Sequence, residues 1–495
     1  MGWRQNMSSS TAPSSPLDQS RSLRRDLGLG MGIALVVGNV IGSGIFAKPG
    51  GIAADAGDFT MIISAWVVGG VVCLLGALCY AELSAMMPQA GGLYVYIREA
   101  YGRPLAFLFG WCDFLFSRPA SIGALSVFFV TLLNDLRGAE PLVVRDIFLA
   151  CVLIASMATV NILGVVWGGR VQAGTTLIKA GFLGLMALIP FLLALKFDVI
   201  SGANYSSSIA VEELRTSSDE GVASWGTRFA AAMLAVMWAY NGWHGITPVA
   251  EEVKNPQRNI PISLFGGIGI LILLYVGANL AYHGSLTMEQ MAAADTSVPH
   301  SMMNAVFGEV GPKYADHAKV AMSLVIMCSV FGAVNSNLLN GPRVSFAMGR
   351  DGVFFRKMGH VHAKFQTPSV AIAVQACMAV LLVISSAIVI RTVESLKDRD
   401  VFGMLTDYIV FSSSIFYMLA VASVVVLRFK RPDLERPYRM LGYPVVPIIY
   451  LAFYAWFMVY VFLDKSFESV VGIVLILLGL PLYLSLWSGN RQEAD

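Results

Sequence analysis

Long apolar stretches, separated by short polar segments, follow one another from about residue 29 to residue 487. Most are near or above the roughly 20 apolar residues that a helix needs to cross a bilayer. Since backbone groups in lipid must be hydrogen-bonded internally, these stretches are predicted to be helices. We number them as spans one to twelve: 29–56, 59–87, 104–133, 145–165, 173–195, 226–250, 260–283, 319–347, 368–390, 403–427, 443–463 and 467–487. The pattern predicts an all-α polytopic membrane protein with both termini on one side.

The composition supports this prediction and excludes several other classes of protein. Apolar residues make up 56% of the 495 residues and charged residues 13%, against about 25% charged in soluble domains. A net charge of +2, without a basic stripe, gives no reason to expect a nucleic-acid partner. The six cysteines lie in apolar stretches and none is spaced CxxC. The sequence therefore predicts no disulfide framework, no metal site and no cofactor.

Lysine and arginine indicate the orientation in the membrane. With the N-terminus inside, 20 of the 34 basic residues fall in inner segments and 12 in outer segments, while Arg118 and Lys179 lie within spans. This excess predicts cytoplasmic N- and C-termini in the plasma membrane, which is the cell inner membrane of a bacterium. Residues 1–27 are predicted to be a disordered cytoplasmic tail.

Span one contains Gly42, Ser43 and Gly44 at its centre. Glycine lowers helix stability by about 1 kcal/mol relative to alanine, so the helix is weakest at this point. One interpretation is close helix packing, because Gly38 and Gly42 form a GxxxG pair. The other is an unwound turn whose free N–H groups suit a carboxylate.

Span six favours the second interpretation. Asn241, Gly242, Gly245 and Pro248 interrupt an otherwise apolar helix. Interruptions at corresponding places in two halves are typical of inverted-repeat transporters, whose site lies near the bilayer midplane. We therefore predict two five-helix repeats, 28–196 and 225–427, with spans eleven and twelve (441–488) outside them and the site between the two breaks.

Ionisable residues inside spans are costly and are candidates for function. Lys179 is predicted to pair with carbonyls that an unwound span one sets free. Asp113 and Arg118 in span three are about 140° apart on an α-helix, so their spacing does not require them to pair, and a structural role is favoured over substrate contact. His244 is either a pH-sensitive group or a hydrogen-bonded pocket histidine.

Six motifs in order carry a resemblance to a known family. They are IGSGIF (41–46), GALCYAEL (76–83), RPAS (118–121), RVQ (170–172) with Lys179, EEVKNPQRNIP (251–261) and RPDLERP (431–437). With these motifs the chain resembles the L-type amino acid transporters of the amino acid–polyamine–organocation superfamily over residues 30–485. The resemblance implies a fold of the LeuT type, a five-plus-five inverted repeat with broken spans one and six.

The resemblance also implies roles for residues at the two breaks. The substrate carboxylate would bind the amides of Ser43 and Gly44, and its ammonium would bind the carbonyls of Val40, Ile41 and Trp238. The Trp238 side chain would be the outer gate. Lys179 would tether the unwound turn to span eight near Ser329 and Asn335, which makes a sodium ion there less necessary. The implied substrate site consists of Val40, Ile41, Gly42, Ser43, Gly44, Trp238, Ala239, Tyr240 and Asn241.

Three departures from the family pattern refine these expectations. Asn241 stands where close relatives commonly have a small residue, which narrows the pocket, and Ala333 stands where many have serine. The loop 134–145 lacks the cysteine that animal members use to bond an ancillary glycoprotein. The sequence therefore predicts a stand-alone, bacterial protein without a disulfide-linked heavy chain.

The resulting expectation is a sodium-independent exchanger of neutral L-amino acids that works by alternating access and is not an enzyme. Charged substrates are disfavoured because no fixed acid or base is expected at the side-chain end of the pocket, and small or medium side chains are favoured. Two alternatives stay open. One is a proton-coupled symporter or uniporter in which His244 or Glu251 titrates. The other is a nutrient sensor that binds amino acids without transporting them.

Overall fold

The computed structural model describes residues 23–214, 224–294, 297–392, 401–464 and 466–492. Within these ranges the chain is built from helices and loops, with two isolated backbone bridges and no β-sheet. The predicted all-α class is confirmed. The predicted tail lies outside the described residues up to residue 22. Residues 23–27 are packed against the body, where the Leu27 amide donates to the Glu252 carbonyl at 2.9 Å.

The described helices follow the predicted spans closely. Those of the first half are α1 (Leu29–Val40), α2 (Gly44–Ala47), α3 (Pro49–Ala56), α4 (Phe59–Met86), α5 (Leu93–Tyr101), α6 (Arg103–Cys112), α7 (Arg118–Arg137), α8 (Val143–Ile162) and α9 (Val165–Leu193). Those of the second half are α10 (Trp225–Ala239), α11 (Pro256–Ser285), α12 (Met288–Ala292), α13 (Val298–Val310), α14 (Pro312–Asn340), α15 (Pro342–Arg350), α16 (Ser369–Thr392), α17 (Val401–Lys430), α18 (Val445–Asp464), α19 (Ser466–Leu477) and α20 (Gly479–Gln492).

Ten helical segments of the described chain are long and apolar enough to cross a bilayer. They cover spans one to five and seven to eleven. Span six falls short because α10 ends at Ala239, and span twelve because it divides between α19 and α20. An apolar stretch therefore need not be one uninterrupted helix.

Span one lies at the centre of the helix bundle. Helix α1 packs against α9, α11 and α14, and α11 also packs against α4. Its residues Leu35, Val36 and Val37 are buried. Because protein surrounds this helix, its backbone has partners other than lipid, and irregular backbone is tolerated at membrane depth only under that condition.

Ion pairs hold the helix ends at the predicted cytoplasmic side. The Glu82 carboxylate of GALCYAEL accepts from the Arg428 guanidinium at 2.6 and 3.1 Å and from the Met440 amide at 2.8 Å. Glu252 and Arg343, both with fully buried side chains, form a two-bond pair at 2.9 and 3.2 Å. Two motifs of the sequence, at the ends of spans two and six, are thus fixed to spans ten and eight.

The opposite side has a link of its own between the two broken spans. The Arg228 guanidinium of α10 donates to the Ala56 carbonyl, where α3 ends, and to the Asp58 carboxylate at 3.0 Å. Asp58 also caps α4 by accepting from the Met61 amide. Spans one and six are therefore joined to each other on the side opposite to the predicted cytoplasmic one.

Candidate functional site

Span one is interrupted where the sequence has glycine and serine. Helix α1 ends at Val40, residues 41–43 are not helical, and α2 begins at Gly44. The Lys179 ammonium on α9 lies 2.5 Å from the Gly38 carbonyl and 2.6 Å from the Ile41 carbonyl. The Ser329 hydroxyl of α14 donates to the Ile41 carbonyl at 2.9 Å. The carbonyls freed by the break are therefore satisfied by side chains of spans five and eight.

The amide groups at the same break have no such partners. Within the described residues, the N–H groups of Ser43 and Gly44 donate to no backbone or side-chain acceptor. Free amide N–H groups at the start of a helix attract anions, since the aligned peptide dipoles place partial positive charge there. The break thus presents two donors suited to a carboxylate.

Span six is interrupted next to the break in span one. After α10, residues 240–246 form turns, and a 3-10 helix follows over Thr247–Glu252. Gly242 has φ +93°, which favours glycine, and a Cβ there would collide with the Asn39 side-chain amide. That amide donates to the Gly242 carbonyl at 2.8 Å. The two breaks are therefore tied directly to each other.

A cavity with about 840 Å³ of empty space, part of it open to solvent, adjoins the two breaks. Spans three, eight and ten complete its wall. The lining residues are Asn39, Val40, Gly42, Ser43, Gly44, Phe109, Cys112, Asp113, Ser117, Arg118, Ser121, Leu125, Trp238, Asn241, Gly242, His244, Ala333, Asn337, Ile409, Ser413, Phe416 and Tyr417. Concave sites with a few polar groups among apolar ones are typical of small-molecule binding.

The predicted substrate residues divide into two groups. Those that line the cavity are Val40, Gly42, Ser43, Gly44, Trp238 and Asn241. Ile41, Ala239 and Tyr240 are fully buried behind it. The Ala239 carbonyl accepts from the Tyr275 hydroxyl at 3.1 Å, and the Tyr240 hydroxyl donates to the Trp66 carbonyl at 3.2 Å. These three residues hold the breaks in shape rather than line the space between them.

The predicted tether residues also separate in the structure. The Lys179 ammonium lies 3.5 Å from the Ser329 carbonyl, which brings span five to span eight beside the break. Asn335, one and a half turns further on α14, donates instead to the Gly168 carbonyl at 3.1 Å and to the Gln172 side chain at 3.0 Å. It joins spans five and eight away from Lys179.

Asp113 and Arg118 do pair, although an α-helix would not require it. The Arg118 guanidinium donates to the Asp113 carboxylate at 2.9 Å. The reason is that residues Asp113–Ser117 form a π-helical turn. Its i→i+5 hydrogen bonding brings residues five apart onto one face, and such turns are frequent at functional sites. The α-helical geometry assumed from the sequence does not hold at this point.

This pair contributes to a polar wall that the sequence did not predict. Arg118 also donates to the Asn337 side chain at 3.1 Å, and the second carboxylate oxygen of Asp113 is buried without a hydrogen-bond partner among the described residues. Both charges line the cavity, whereas the sequence led us to expect no fixed acid or base at its side-chain end. Because they neutralise each other, the wall carries no net charge from this pair.

Span ten supplies lining residues that sequence reasoning missed. Ser413, Phe416 and Tyr417 line the cavity, and the Tyr417 hydroxyl donates to the Asn241 side chain at 3.0 Å. The available signal was the run Ser412–Ser414 inside an otherwise apolar stretch. Which face of span ten meets span six depends on tertiary packing, which one apolar stretch does not specify.

Residues 28–485 match the family model described as amino acid permease. This range covers the first eleven predicted spans completely and all but the last two residues of the twelfth.

Three relatives resemble the chain over nearly its full length. The "Serine/threonine exchanger SteT" of Bacillus subtilis (strain 168) is 31% identical over 467 residues, which cover 94% of this chain and 97% of the relative. The "Large neutral amino acids transporter small subunit 2" of Homo sapiens is 29% identical, covering 93% of this chain and 80% of the relative. The "Asc-type amino acid transporter 1" of Mus musculus is 28% identical, covering 93% and 81%.

Proposed function

The chain belongs to the amino acid permease family and is a multi-pass membrane transporter of amino acids, not an enzyme, and from that premise we propose that it exchanges neutral L-amino acids by alternating access without sodium. The observation that carries the proposal is the cavity beside two broken spans. At its edge the Ser43 and Gly44 amides are free to donate, while the carbonyls of the same break are occupied.

A zwitterionic substrate fits this asymmetry. We propose that its carboxylate accepts from the Ser43 and Gly44 amides. Of the three carbonyls considered for its ammonium, that of Ile41 already accepts from both Lys179 and Ser329. The Val40 carbonyl likewise accepts from the Gly42 amide at 2.7 Å and from the Tyr275 hydroxyl at 3.2 Å, and the Trp238 carbonyl accepts from the Asn241 amide at 3.0 Å. We propose the Val40 and Trp238 carbonyls as the acceptors because their residues, unlike Ile41, line the cavity. The Trp238 ring then covers the bound substrate as the outer gate.

Lys179 supports a mechanism without sodium. Its ammonium is fully buried and lies within 2.6 Å of two carbonyls of span one. A fixed positive charge of this kind neutralises the carbonyl dipoles of an unwound helix, which is a role that bound sodium has in other transporters with broken helices. The break is therefore stabilised whether or not sodium is present.

Two observations support neutral substrates and exchange. The Asp113–Arg118 pair is internally neutralised, so it offers no unpaired charge to a cationic or anionic side chain. The bacterial relative at 31% identity is named as a serine/threonine exchanger. We extend exchange, and a neutral substrate, from that relative to this chain.

The orientation and the subunit composition are part of the proposal. The excess of basic residues in inner segments supports cytoplasmic termini in the plasma membrane. The loop 134–145 contains no cysteine, so a disulfide-linked heavy chain has no attachment point there. We propose that the protein works without one.

Exchange in proteoliposomes tests the proposal. The purified protein is placed in vesicles loaded with unlabelled L-alanine, in sodium-free buffer of equal pH on both sides, and labelled amino acids are added outside. Uptake is expected only when amino acid is present inside. Vesicles without protein, and loaded vesicles with sodium added, are the controls, and sodium is expected to change nothing.

The other mechanisms give different results in the same assay. Uptake into vesicles without internal amino acid, driven by an inward proton gradient, would identify a proton-coupled symporter. His244, which lines the cavity and has a buried ring nitrogen without a hydrogen-bond partner among the described residues, is the first candidate for its proton site. Saturable binding without any flux would identify a sensor.

A further inference from the structure

Another cavity lies next to the cavity at the two breaks. A second, smaller cavity is lined by Met237, Asn241, Trp243, Val410, Ser414, Tyr417 and Tyr454. It has about 220 Å³ of empty space, against about 840 Å³ for the cavity at the two breaks. Asn241 and Tyr417 line both cavities. We call the cavity at the two breaks the main cavity and the smaller one the back cavity. The Asn241 and Tyr417 side chains therefore form a partition between them.

The partition is held closed by a hydrogen bond between the two elements that it joins. Asn241 lies on the unwound turn of span six and Tyr417 on span ten, and the Tyr417 hydroxyl donates to the Asn241 amide oxygen at 3.0 Å. The Tyr417 ring packs against two other rings, with its centroid 5.0 Å from that of His244 and 6.3 Å from that of Trp243. Tyr417 is buried, whereas Asn241 is partly exposed to the cavity.

The back cavity differs from the main cavity in its chemistry. Its wall beyond the partition consists of Met237, Trp243, Val410, Ser414 and Tyr454 and has no charged side chain. The main cavity contains the Asp113–Arg118 pair and several hydroxyl groups. An apolar side chain too long for the main cavity would gain contacts in the back cavity only if the partition were absent.

We propose that the Asn241–Tyr417 partition sets the upper size limit of the transported side chain. The inference rests on the proposed function, and it names the substrate class as amino acids with short side chains, such as alanine, serine and threonine. The partition acts by exclusion, since the Asn241 amide occupies the path along which a longer aliphatic or aromatic side chain would enter the back cavity. Its loss joins the two cavities and admits larger apolar side chains.

The test is the ratio of labelled leucine to labelled alanine exchanged into alanine-loaded vesicles. The wild-type protein is expected to favour alanine. Asn241→Ala is expected to raise the ratio about tenfold or more, as pockets that gain or lose room for apolar groups do. Val410→Ala is the matched control, because it enlarges the back cavity and leaves the partition intact. It is expected to keep the wild-type ratio.

Several results would overturn the proposal. If the wild-type protein exchanges leucine as fast as alanine, the partition sets no size limit and the proposal fails. If the wild-type protein exchanges no amino acid at all, the proposed function itself is contradicted. An unchanged ratio in Asn241→Ala would show that the partition excludes nothing. An equal rise in Val410→Ala would show that the cavities are already joined. If Asn241→Ala does not fold, Tyr417→Leu removes the other half and carries the same expectation.

Discussion

Lys179 shows how one side chain can make an unwound helix possible in a membrane. Its ammonium donates to the Gly38 and Ile41 carbonyls. The Ile41 carbonyl also accepts from Ser329, but among the described residues Lys179 is the donor on which the Gly38 carbonyl depends. Unwinding therefore requires a donor that reaches in from another helix, and span five supplies it. The sequence indicated this role, because a lysine deep in an apolar stretch has few other partners.

We expect Lys179→Ala to lower sodium-free exchange by roughly tenfold or more, because a buried carbonyl without a donor costs about 1–3 kcal/mol and 1.4 kcal/mol is a factor of ten. Initial uptake rates in loaded vesicles measure the effect. Thr176→Val is the control, because it removes one hydrogen bond between the same helices, to the Ala34 carbonyl at 3.0 Å, within the regular part of α1. Wild-type exchange by Lys179→Ala would refute the tether.

The Asp113–Arg118 pair makes a separate prediction for stability. Arg118→Leu leaves the Asp113 carboxylate buried and unpaired, and we expect a loss of about 3–5 kcal/mol in the free energy of unfolding. The double variant with Asp113→Asn removes the charge as well and is expected to recover most of that loss. Thermal unfolding in detergent measures both. If the double variant were no more stable than the single one, the pairing would not be what stabilises this turn.

Some contacts of individual residues in the site were predictable from the sequence and others were not. The motif IGSGIF, taken together with the interruption of span six, was sufficient to predict the break and its free amides. The Asp113–Arg118 contact was not predictable, because a π-helical turn and an α-helical turn have the same apolar pattern. Asn335 contacts Gly168 and Gln172 and not Lys179. Which residues of span five face Asn335 depends on how the two helices pack, and the sequence does not specify that.

At the scale of elements, the two broken spans come close because Gly44 has no side chain. A Cβ on Gly44 would lie 2.5 Å from the Cα of Ala239 on α10. Helices α2 and α10 are therefore in backbone contact at the edge of the cavity. Small residues allow such close approach of helices in membranes.

We expect Gly44→Ala to destabilise the protein by about 1–3 kcal/mol, since overpacking forces backbone shifts. Gly42→Ala is the matched control, because its Cβ would meet the Ala333 methyl at an ordinary 3.7 Å. Melting temperatures in detergent measure both variants. Equal melting temperatures would show that α2 and α10 are not in close contact.

The elements were predictable to different degrees. Apolar length alone was sufficient for the ten segments long enough to cross a bilayer, since a bilayer sets that length. The end of α10 at Ala239 and the 3-10 helix after it were not, because Asn241 and Gly242 indicate a break without indicating the conformation of the chain beyond it. That conformation depends on the Asn39 side chain of span one, which donates to the Gly242 carbonyl.

At the scale of the whole molecule, the structure indicates closure at both ends of the broken spans. Glu252 and Arg343 join span six to α15 on one side, and Arg228 joins α10 to α3 and α4 on the other. Alternating access requires the cavity to open to one side at a time. The buried pair Glu252–Arg343 must separate if the predicted cytoplasmic side opens between these elements.

The orientation of the molecule in the membrane is a prediction at this scale. Glu140 and Lys364 are exposed and lie on loops predicted to be outside and inside. In intact cells, Glu140→Cys is expected to react with a membrane-impermeant maleimide, and Lys364→Cys only after the membrane is broken. The wild type, with its native cysteines, is the control. The reverse pattern would place the termini outside.

The claim that an amino acid binds between the two breaks is tested most directly by an experimental structure of the protein in lipid with bound L-alanine. The substrate carboxylate is predicted to lie within hydrogen-bonding distance of the Ser43 and Gly44 amides, with its methyl group facing Asn241. Alanine bound elsewhere, with these two amides unoccupied, would contradict the proposed site.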